Sequence, residues 1–136
     1  MMLGRASGIE HDLVCLEARC DSRAPAAARA DLAKWSHLGT GVGDAMLVVS
    51  ELVSNAVRHS GTEQDQRLRI TVRRVDRELV ISVRDSGISG STADISTQES
   101  ASSGGLGLRI VDQLSTDWGT TRETGSYTVW AKVPLE

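Results

Sequence analysis

Glu51 and Asn55 are the two residues whose types and spacing most directly suggest chemistry in this chain. They lie four residues apart in segment 51–59, whose apolar positions fit one helix, so both share a face with either Arg58 or His59. A carboxylate in such a row can accept a proton, a carboxamide oxygen can bind a hard cation, and a positive charge can pair with a phosphate. Because Mg²⁺ takes few protein ligands and fills its shell with waters and phosphate oxygens, the row indicates half of a Mg-nucleotide site.

A second candidate segment follows an alternating strand. Residues 79–84 alternate apolar and polar side chains, and Asp85-Ser86-Gly87 comes directly after them. Taken alone, this sequence is also that of an ordinary turn, in which Asp and Gly are favoured. The row on segment 51–59 is equally typical of the charged face of an amphipathic helix. Neither segment is specific without the other.

A third segment opens a helix with glycines. The helix is predicted from the apolar periodicity of residues 108–114. Glycines before a helix N-terminus let backbone N–H groups approach an anion, and the helix dipole favours negative charge there. A P-loop does not fit because no Gly-Lys-Ser/Thr follows, and a Rossmann fingerprint does not fit because no βαβ repeat surrounds the glycines. The segment consists of Gly104, Gly105, Leu106, Gly107 and Leu108.

The order and spacing of these segments resemble one known superfamily. E-x-x-x-N on a helix, D-x-G after a strand and G-x-G-L opening a helix are similar to the N, G1 and G2 boxes of the GHKL ATP-binding proteins. That superfamily includes gyrase B, Hsp90, MutL, the histidine kinases and the anti-sigma-factor serine kinases. Segments 48–60, 112–119 and 128–131 further resemble the stand-alone anti-sigma-factor serine/threonine kinase branch. The resemblance covers roughly residues 12–133.

The residue patterns predict an α+β chain with helices on one face of a mixed sheet. The resemblance implies a two-layer α/β sandwich of the Bergerat, or histidine-kinase-like ATPase, type. We expect a single domain over residues 1–136, with its core at about 12–133. The predicted elements are strands at 12–20, 68–72, 79–84 and 127–133 and helices at 25–38, 44–59 and 105–115.

The resemblance implies a role for each matching residue. Asp85 would accept a hydrogen bond from the adenine amino group, and Gly87 would let the backbone approach the base. Asn55 would be the protein ligand of Mg²⁺, and Arg58 or His59 would lie near the phosphates or the lid. Segment 88–103, rich in Ser, Thr and Gly, would be the ATP lid. The phosphates would be cradled by Gly104, Gly105, Leu106, Gly107 and Leu108.

Glu51 distinguishes between branches of the superfamily. Serine-kinase and hydrolytic members are similar in having a carboxylate here, which suits it to accept a proton from a hydroxyl or water. Many histidine kinases carry Asn at this place, and this sequence shows neither a phosphoacceptor helix pair nor a transducer domain. The resemblance therefore implies a stand-alone protein kinase with Glu51 as its general base.

The implied function is that of an anti-sigma-factor-like serine/threonine protein kinase. It would bind MgATP, sequester a sigma factor and phosphorylate a serine of an STAS-like anti-anti-sigma antagonist. The resemblance also makes a homodimer plausible. Two alternatives stay open: a non-catalytic, nucleotide-regulated partner-binding module, and a detached histidine-kinase catalytic domain. Ser89 and Ser103 stand where the family pattern often has glycine, which bears on ATP affinity and lid conformation but not on the fold.

Composition and charge limit the classes of partner and the cellular location that we expect. The chain has 136 residues, 40% of them hydrophobic, and a net charge of −3, which argues against general nucleic-acid binding. It contains no apolar run long enough to span a bilayer and no signal-peptide pattern, so we expect a cytoplasmic protein with no membrane contact. Arginines at 67–77 form a local basic cluster, which we interpret as a solvated sheet edge, although an acidic partner could dock there.

Overall fold

The computed structural model describes residues 10–59, 67–85, 105–123 and 126–136. Within these ranges five strands form one sheet, three α-helices pack against it, and a short 3-10 turn (Ser36–Leu38) precedes the second helix. The α+β fold class is confirmed. The strands are β1 (Glu10–Arg19), β2 (Arg67–Val75), β3 (Glu78–Asp85), β4 (Asp117–Glu123) and β5 (Ser126–Pro134). The helices are α1 (Ala24–Ala33), α2 (Gly41–His59) and α3 (Gly105–Leu114).

The sheet has the strand order β1-β2-β3-β5-β4, and all four neighbouring pairs are antiparallel. The prediction of a mixed sheet was therefore wrong. The connection β3–α3–β4 does make β4 parallel in direction to β3, as a crossover helix usually does. However, β5 folds back from β4 and lies between the two, so no parallel pair forms.

Helices cover one face of the sheet. Strands β2 and β3 alternate buried and less buried residues, as expected for a sheet with only one face in the core. α2 packs on β3 and β5, while α1 and α3 flank α2. Apolar residues recur every three or four positions along α2, and this spacing determines which side of the helix faces the sheet. Its buried hydrophobic residues are Val42, Ala45, Val48, Val49, Leu52 and Val53.

The start of α2 is locked to the end of β5. The Gly41 N–H donates to the Leu135 carbonyl oxygen at 2.6 Å, and the Leu135 side chain is buried. A Cβ atom at Gly41 would clash with the Pro134 carbonyl oxygen, so glycine is what allows this approach. For this reason α2 begins at Gly41, three residues before the predicted start.

Strand β4 is the element that the sequence patterns did not predict. Most of its residues are exposed, so it lacks the alternation that marks a half-buried strand. It pairs with β5, where Gly119 lies opposite Trp130. A Cβ atom at Gly119 would lie 2.9 Å from Trp130 Cζ2, so the indole covers the glycine.

None of the helices in the described ranges has both the length and the apolar character needed to cross a bilayer.

Candidate functional site

The predicted row on α2 lies partly in the protein interior. Glu51 is half-buried, and Asn55, one helical turn later, is 9% exposed. Arg58 is exposed, and its Nη2 atom donates to Asn55 Oδ1 at 3.5 Å, the long limit of a hydrogen bond. His59 is the last residue of α2, and its side chain lies outside the described part of the structure. Glu51, Asn55 and Arg58 are thus successive neighbours along one helix.

Asp85 is the last residue of β3 and is only 7% exposed. Alternation along the strand places it on the same face as Ile81 and Val83, which is the face that the helices cover. Its cross-strand neighbours are Leu68 on β2 and Tyr127 on β5. Its carboxylate therefore lies at the end of the sheet on the helix side, as expected of a group that meets a ligand between the layers.

The direction of α2 brings Asn55 to the same end as Asp85. α2 starts beside Leu135, and the preceding Pro134 pairs with Glu78, the first residue of β3. Helix and strand therefore start at the same end and run the same way. Asn55 is 14 residues beyond Gly41, about 21 Å along the helix. Asp85 is 7 residues beyond Glu78, about 23 Å along the strand.

The N-terminus of α3 points to this same end. Just after α3, the Thr116 N–H donates to the Lys132 carbonyl oxygen and its hydroxyl donates to Glu78 Oε2, both at 2.8 Å. The C-terminal end of α3 thus lies where β3 starts, and its N-terminus, Gly105, faces the other end. Its first turn contains no acidic residue, so the positive end of the helix dipole is not neutralised locally.

The glycine-rich segment is only partly described. Gly105, Leu106 and Gly107 are the first three residues of α3, and Leu108 is half-buried. Gly104 lies outside the described residues. So do Gly87, Ser89, Ser103 and the whole predicted lid at 88–103. The predictions made for these residues remain predictions.

Buried polar side chains concentrate at this end of the molecule. Among the described residues, the buried polar or charged ones are Asn55, Asp85 and Ser126. Ser126 begins β5 and precedes Tyr127, the partner of Asp85. Burial of polar groups is unfavourable unless they are hydrogen-bonded, so Asn55 and Asp85 indicate a polar site on the helix side, whereas alternation along β5 places Ser126 on the opposite face of the sheet. Sequence patterns gave no signal for Ser126, since a lone serine before a strand is common.

The donor set fits a magnesium nucleotide. Asp85 offers an acceptor for an exocyclic amine, Asn55 a neutral oxygen for a hard cation, and the start of α3 backbone N–H groups for phosphate oxygens. In the described ranges, no three His, Cys, Asp or Glu side chains gather as a metal site. Mg²⁺ at Asn55 would therefore depend on phosphate oxygens and water for its other ligands, as is usual for Mg²⁺ in proteins.

Asp85 also borders a cavity of about 350 Å³ at this end of the sheet. Its other described lining residues come from β1, β2, β3 and β5, and most of them are charged. They are Glu17, Arg67, Leu68, Arg69, Arg84 and Ser126. The cavity therefore reaches beyond the helix side of the sheet, and the sequence analysis did not anticipate it.

Solved structures with the same fold include a pair of RsbU and RsbW domains and two histidine kinases. The RsbU and RsbW domains of Rv1364c from Mycobacterium tuberculosis superpose with a TM-score of 0.61 at 19% identity, covering 94% of this chain and 32% of that one. The histidine kinase domain of a blue-light activated histidine kinase from Erythrobacter litoralis gives 0.52 at 25% identity, covering 70% and 45%. Histidine kinase AdeS from Acinetobacter baumannii gives 0.50 at 16% identity, covering 91% and 70%.

This chain thus spans about a third of the length of the first protein and under half of the length of the second. A search of curated proteins found no match. A family model described as "Histidine kinase-, DNA gyrase B-, and HSP90-like ATPase" matches residues 42–136, well over half of the chain. The match includes α2, β3 and α3, the three elements that form the site. The chain belongs to this family of ATPase domains.

Proposed function

We propose that this chain is a cytoplasmic, MgATP-dependent serine/threonine protein kinase of the anti-sigma-factor type. It sequesters a sigma factor and phosphorylates a serine of an STAS-like anti-anti-sigma antagonist. The observation that carries the proposal is the position of Glu51. Its carboxylate is half-buried on α2, one turn before the buried side chain of Asn55.

Each group in the site has a distinct task. Asp85 accepts a hydrogen bond from the adenine amino group, which favours adenine over guanine, and the N–H groups at the start of α3 bind phosphate oxygens. Asn55 Oδ1 would be a ligand of Mg²⁺, and Arg58 Nη2 lies 3.5 Å from the same atom. Glu51 accepts the proton of the substrate serine hydroxyl. When bound, MgATP supplies the phosphoryl group that the serine oxygen receives.

The choice of kinase branch depends on Glu51 more than on overall likeness. The RsbW-containing structure is 19% identical, and this identity supports the fold but not a shared substrate. A carboxylate beside the Mg²⁺ ligand is suited to deprotonate a hydroxyl, whereas an imidazole nucleophile is already partly neutral near pH 7. A protein that only sequesters a partner has no chemical need for this group.

Phosphotransfer from labelled ATP tests the proposal. The sigma factors and STAS-like proteins encoded in the same genome are purified individually and incubated with the chain, Mg²⁺ and γ-labelled ATP. We expect acid-stable label on one STAS-like protein. Glu51→Gln should lower the rate at least ~100-fold, the typical contribution of a general base, while ATP binding persists. The matched control, Glu123→Gln, removes an exposed carboxylate at the end of β4 and should leave the rate unchanged.

Two other results would reject the kinase assignment in different ways. Acid-labile label on a partner would indicate phosphohistidine and a detached histidine-kinase domain. Stable binding of a sigma factor with no label on any STAS-like protein, at saturating MgATP, would indicate a partner-binding module without catalysis. A rate that Glu51→Gln leaves unchanged would remove this residue from the mechanism.

A further inference from the structure

The side of the sheet that faces away from the helices, the outer face, carries a concentration of arginines. Residues 67–84 contain six arginines and two acidic residues, a net charge of +4 in a chain whose total is −3. The rest of the chain is therefore strongly acidic. The interpretation of this cluster as a solvated sheet edge is wrong, because β2 and β3 are inner strands of the sheet. A positive surface on an otherwise acidic chain favours contact with an acidic partner.

Three of these arginines form a compact group. Arg69 on β2 lies directly opposite Arg84 on β3, and Arg67 lies two residues before Arg69 on the same face. All three line the 350 Å³ cavity. Opposite residues in an antiparallel pair have Cβ atoms about 5 Å apart, and like charges there are destabilising. The fold therefore retains an unfavourable arrangement that its own packing does not require.

Only one of the three charges is compensated within the described residues. Arg69 Nη2 lies 3.3 Å from Glu17 Oε2 on β1, in an exposed pair. Neither Arg67 nor Arg84 has a carboxylate oxygen within 4.0 Å in the described part of the chain. Arg73, by contrast, pairs with Asp12 at 2.9 Å farther along the same strands. Among the described residues, two guanidinium groups beside the cavity therefore lack a carboxylate partner.

The spacing of the group matches an extended acidic segment. Arg67 and Arg69 are two residues apart on one strand face, a separation of about 7 Å. Alternate carboxylates of an extended peptide have the same spacing, and guanidinium forks bind carboxylates through paired hydrogen bonds. Ser126, which is 7% exposed and also lines the cavity, adds a hydroxyl. Asp85 borders the same cavity, but its position in the alternation directs its side chain to the helix side.

We propose that Arg67, Arg69 and Arg84 form a docking site for a carboxylate-rich, extended segment of a partner protein. The three arginines lie on the outer face, whereas Asp85 lies on the helix side of the same cavity, so the proposal does not depend on the proposed kinase activity. A long nucleic acid fits less well because the acidic remainder of the chain repels it.

Binding of a defined probe tests the site. A fluorescein-labelled octapeptide that alternates glutamate and threonine is titrated with the full chain, and its anisotropy is measured at low and physiological salt. We expect saturable, salt-sensitive binding that weakens about tenfold or more in Arg67→Ala/Arg84→Ala. The control Arg73→Ala/Arg77→Ala removes the same charge from exposed positions outside the cavity and should change the dissociation constant less than about twofold. Circular dichroism melts verify that both variants are folded.

Each other outcome overturns the proposal. Equal weakening in the two double variants would mean that only net charge matters, and absence of binding at low salt would mean that no site exists. Tighter binding of a single-stranded RNA of equal charge, with the same dependence on Arg67 and Arg84, would reassign the surface to nucleic acid. A concentration-dependent dimer in sedimentation velocity that Arg67→Ala/Arg84→Ala abolishes would reassign it to a second copy. In all cases nucleotide binding is measured separately, so failure here leaves the kinase proposal untouched.

Discussion

Gly41→Ala should destabilise the protein by overpacking the contact between the start of α2 and the end of β5. The added Cβ atom would clash with the Pro134 carbonyl oxygen and would separate the Gly41 N–H from the Leu135 carbonyl oxygen, now 2.6 Å away. Overpacking costs about 1–3 kcal/mol, and loss of one backbone hydrogen bond adds about 1 kcal/mol. The expected loss of unfolding free energy is therefore about 2–4 kcal/mol. For a chain of this size, it lowers the melting temperature by roughly 6–16 °C.

Gly43→Ala is the matched control for this prediction. Gly43 lies one half-turn later in α2, and nothing lies within 4 Å of a Cβ atom built there. Alanine is the better helix former, so this variant should be unchanged or more stable by up to about 1 kcal/mol. Thermal and urea unfolding, followed by circular dichroism, measure both variants. Equal melting temperatures for the two would refute the reasoning that α2 is locked to the end of β5.

Three further predictions concern the outer face, the core and the site. Gly119→Val should lower stability by about 1–3 kcal/mol in urea unfolding, because its side chain would clash with the Trp130 indole; wild-type stability would show that the indole moves freely. Leu52→Ala removes a fully buried side chain and should cost about 2–5 kcal/mol, whereas Leu47→Ala, at a side chain 49% exposed, should cost under about 0.5; similar losses would contradict the assigned burial. Asn55→Ala should abolish the Mg²⁺ dependence of ATP affinity in calorimetry while leaving weak metal-free binding, and an unaltered Mg²⁺ effect would exclude Asn55 as a ligand.

The sequence predicted the position of a site residue wherever the helical or strand repeat of a single element determines it. The helical repeat of segment 51–59 predicts that Glu51, Asn55 and Arg58 are neighbours, and the structure places them so. The strand alternation before Asp85 likewise predicts a strand that ends there. Local spacing is enough in both cases because the relevant contacts lie within one element.

Long-range pairing could not be predicted in the same way. Tyr127 lies beside Asp85 only because β5 inserts between β3 and β4, which is a property of the whole sheet. β4 itself is an exposed edge strand, so its formation depends on pairing with β5 and not on its own hydrophobic pattern. The pairing of Arg69 with Arg84, by contrast, follows from the two-residue turn at Asp76-Arg77, which fixes the register of β2 against β3. Sequence spacing carries no information on such registers unless the turn fixes them.

Titration calorimetry of the purified chain with ATP tests whether the chain binds a magnesium nucleotide at Asp85. ATP is titrated with and without Mg²⁺ into the wild-type protein and Asp85→Asn. We expect Mg²⁺-dependent binding to the wild type and a loss of at least about tenfold in Asp85→Asn, because the amide cannot replace the buried carboxylate as an acceptor for the adenine amine without reorientation. Absence of heat and of thermal stabilisation at millimolar ATP, in a folded wild-type protein, would contradict it, as would equal affinity of the two proteins.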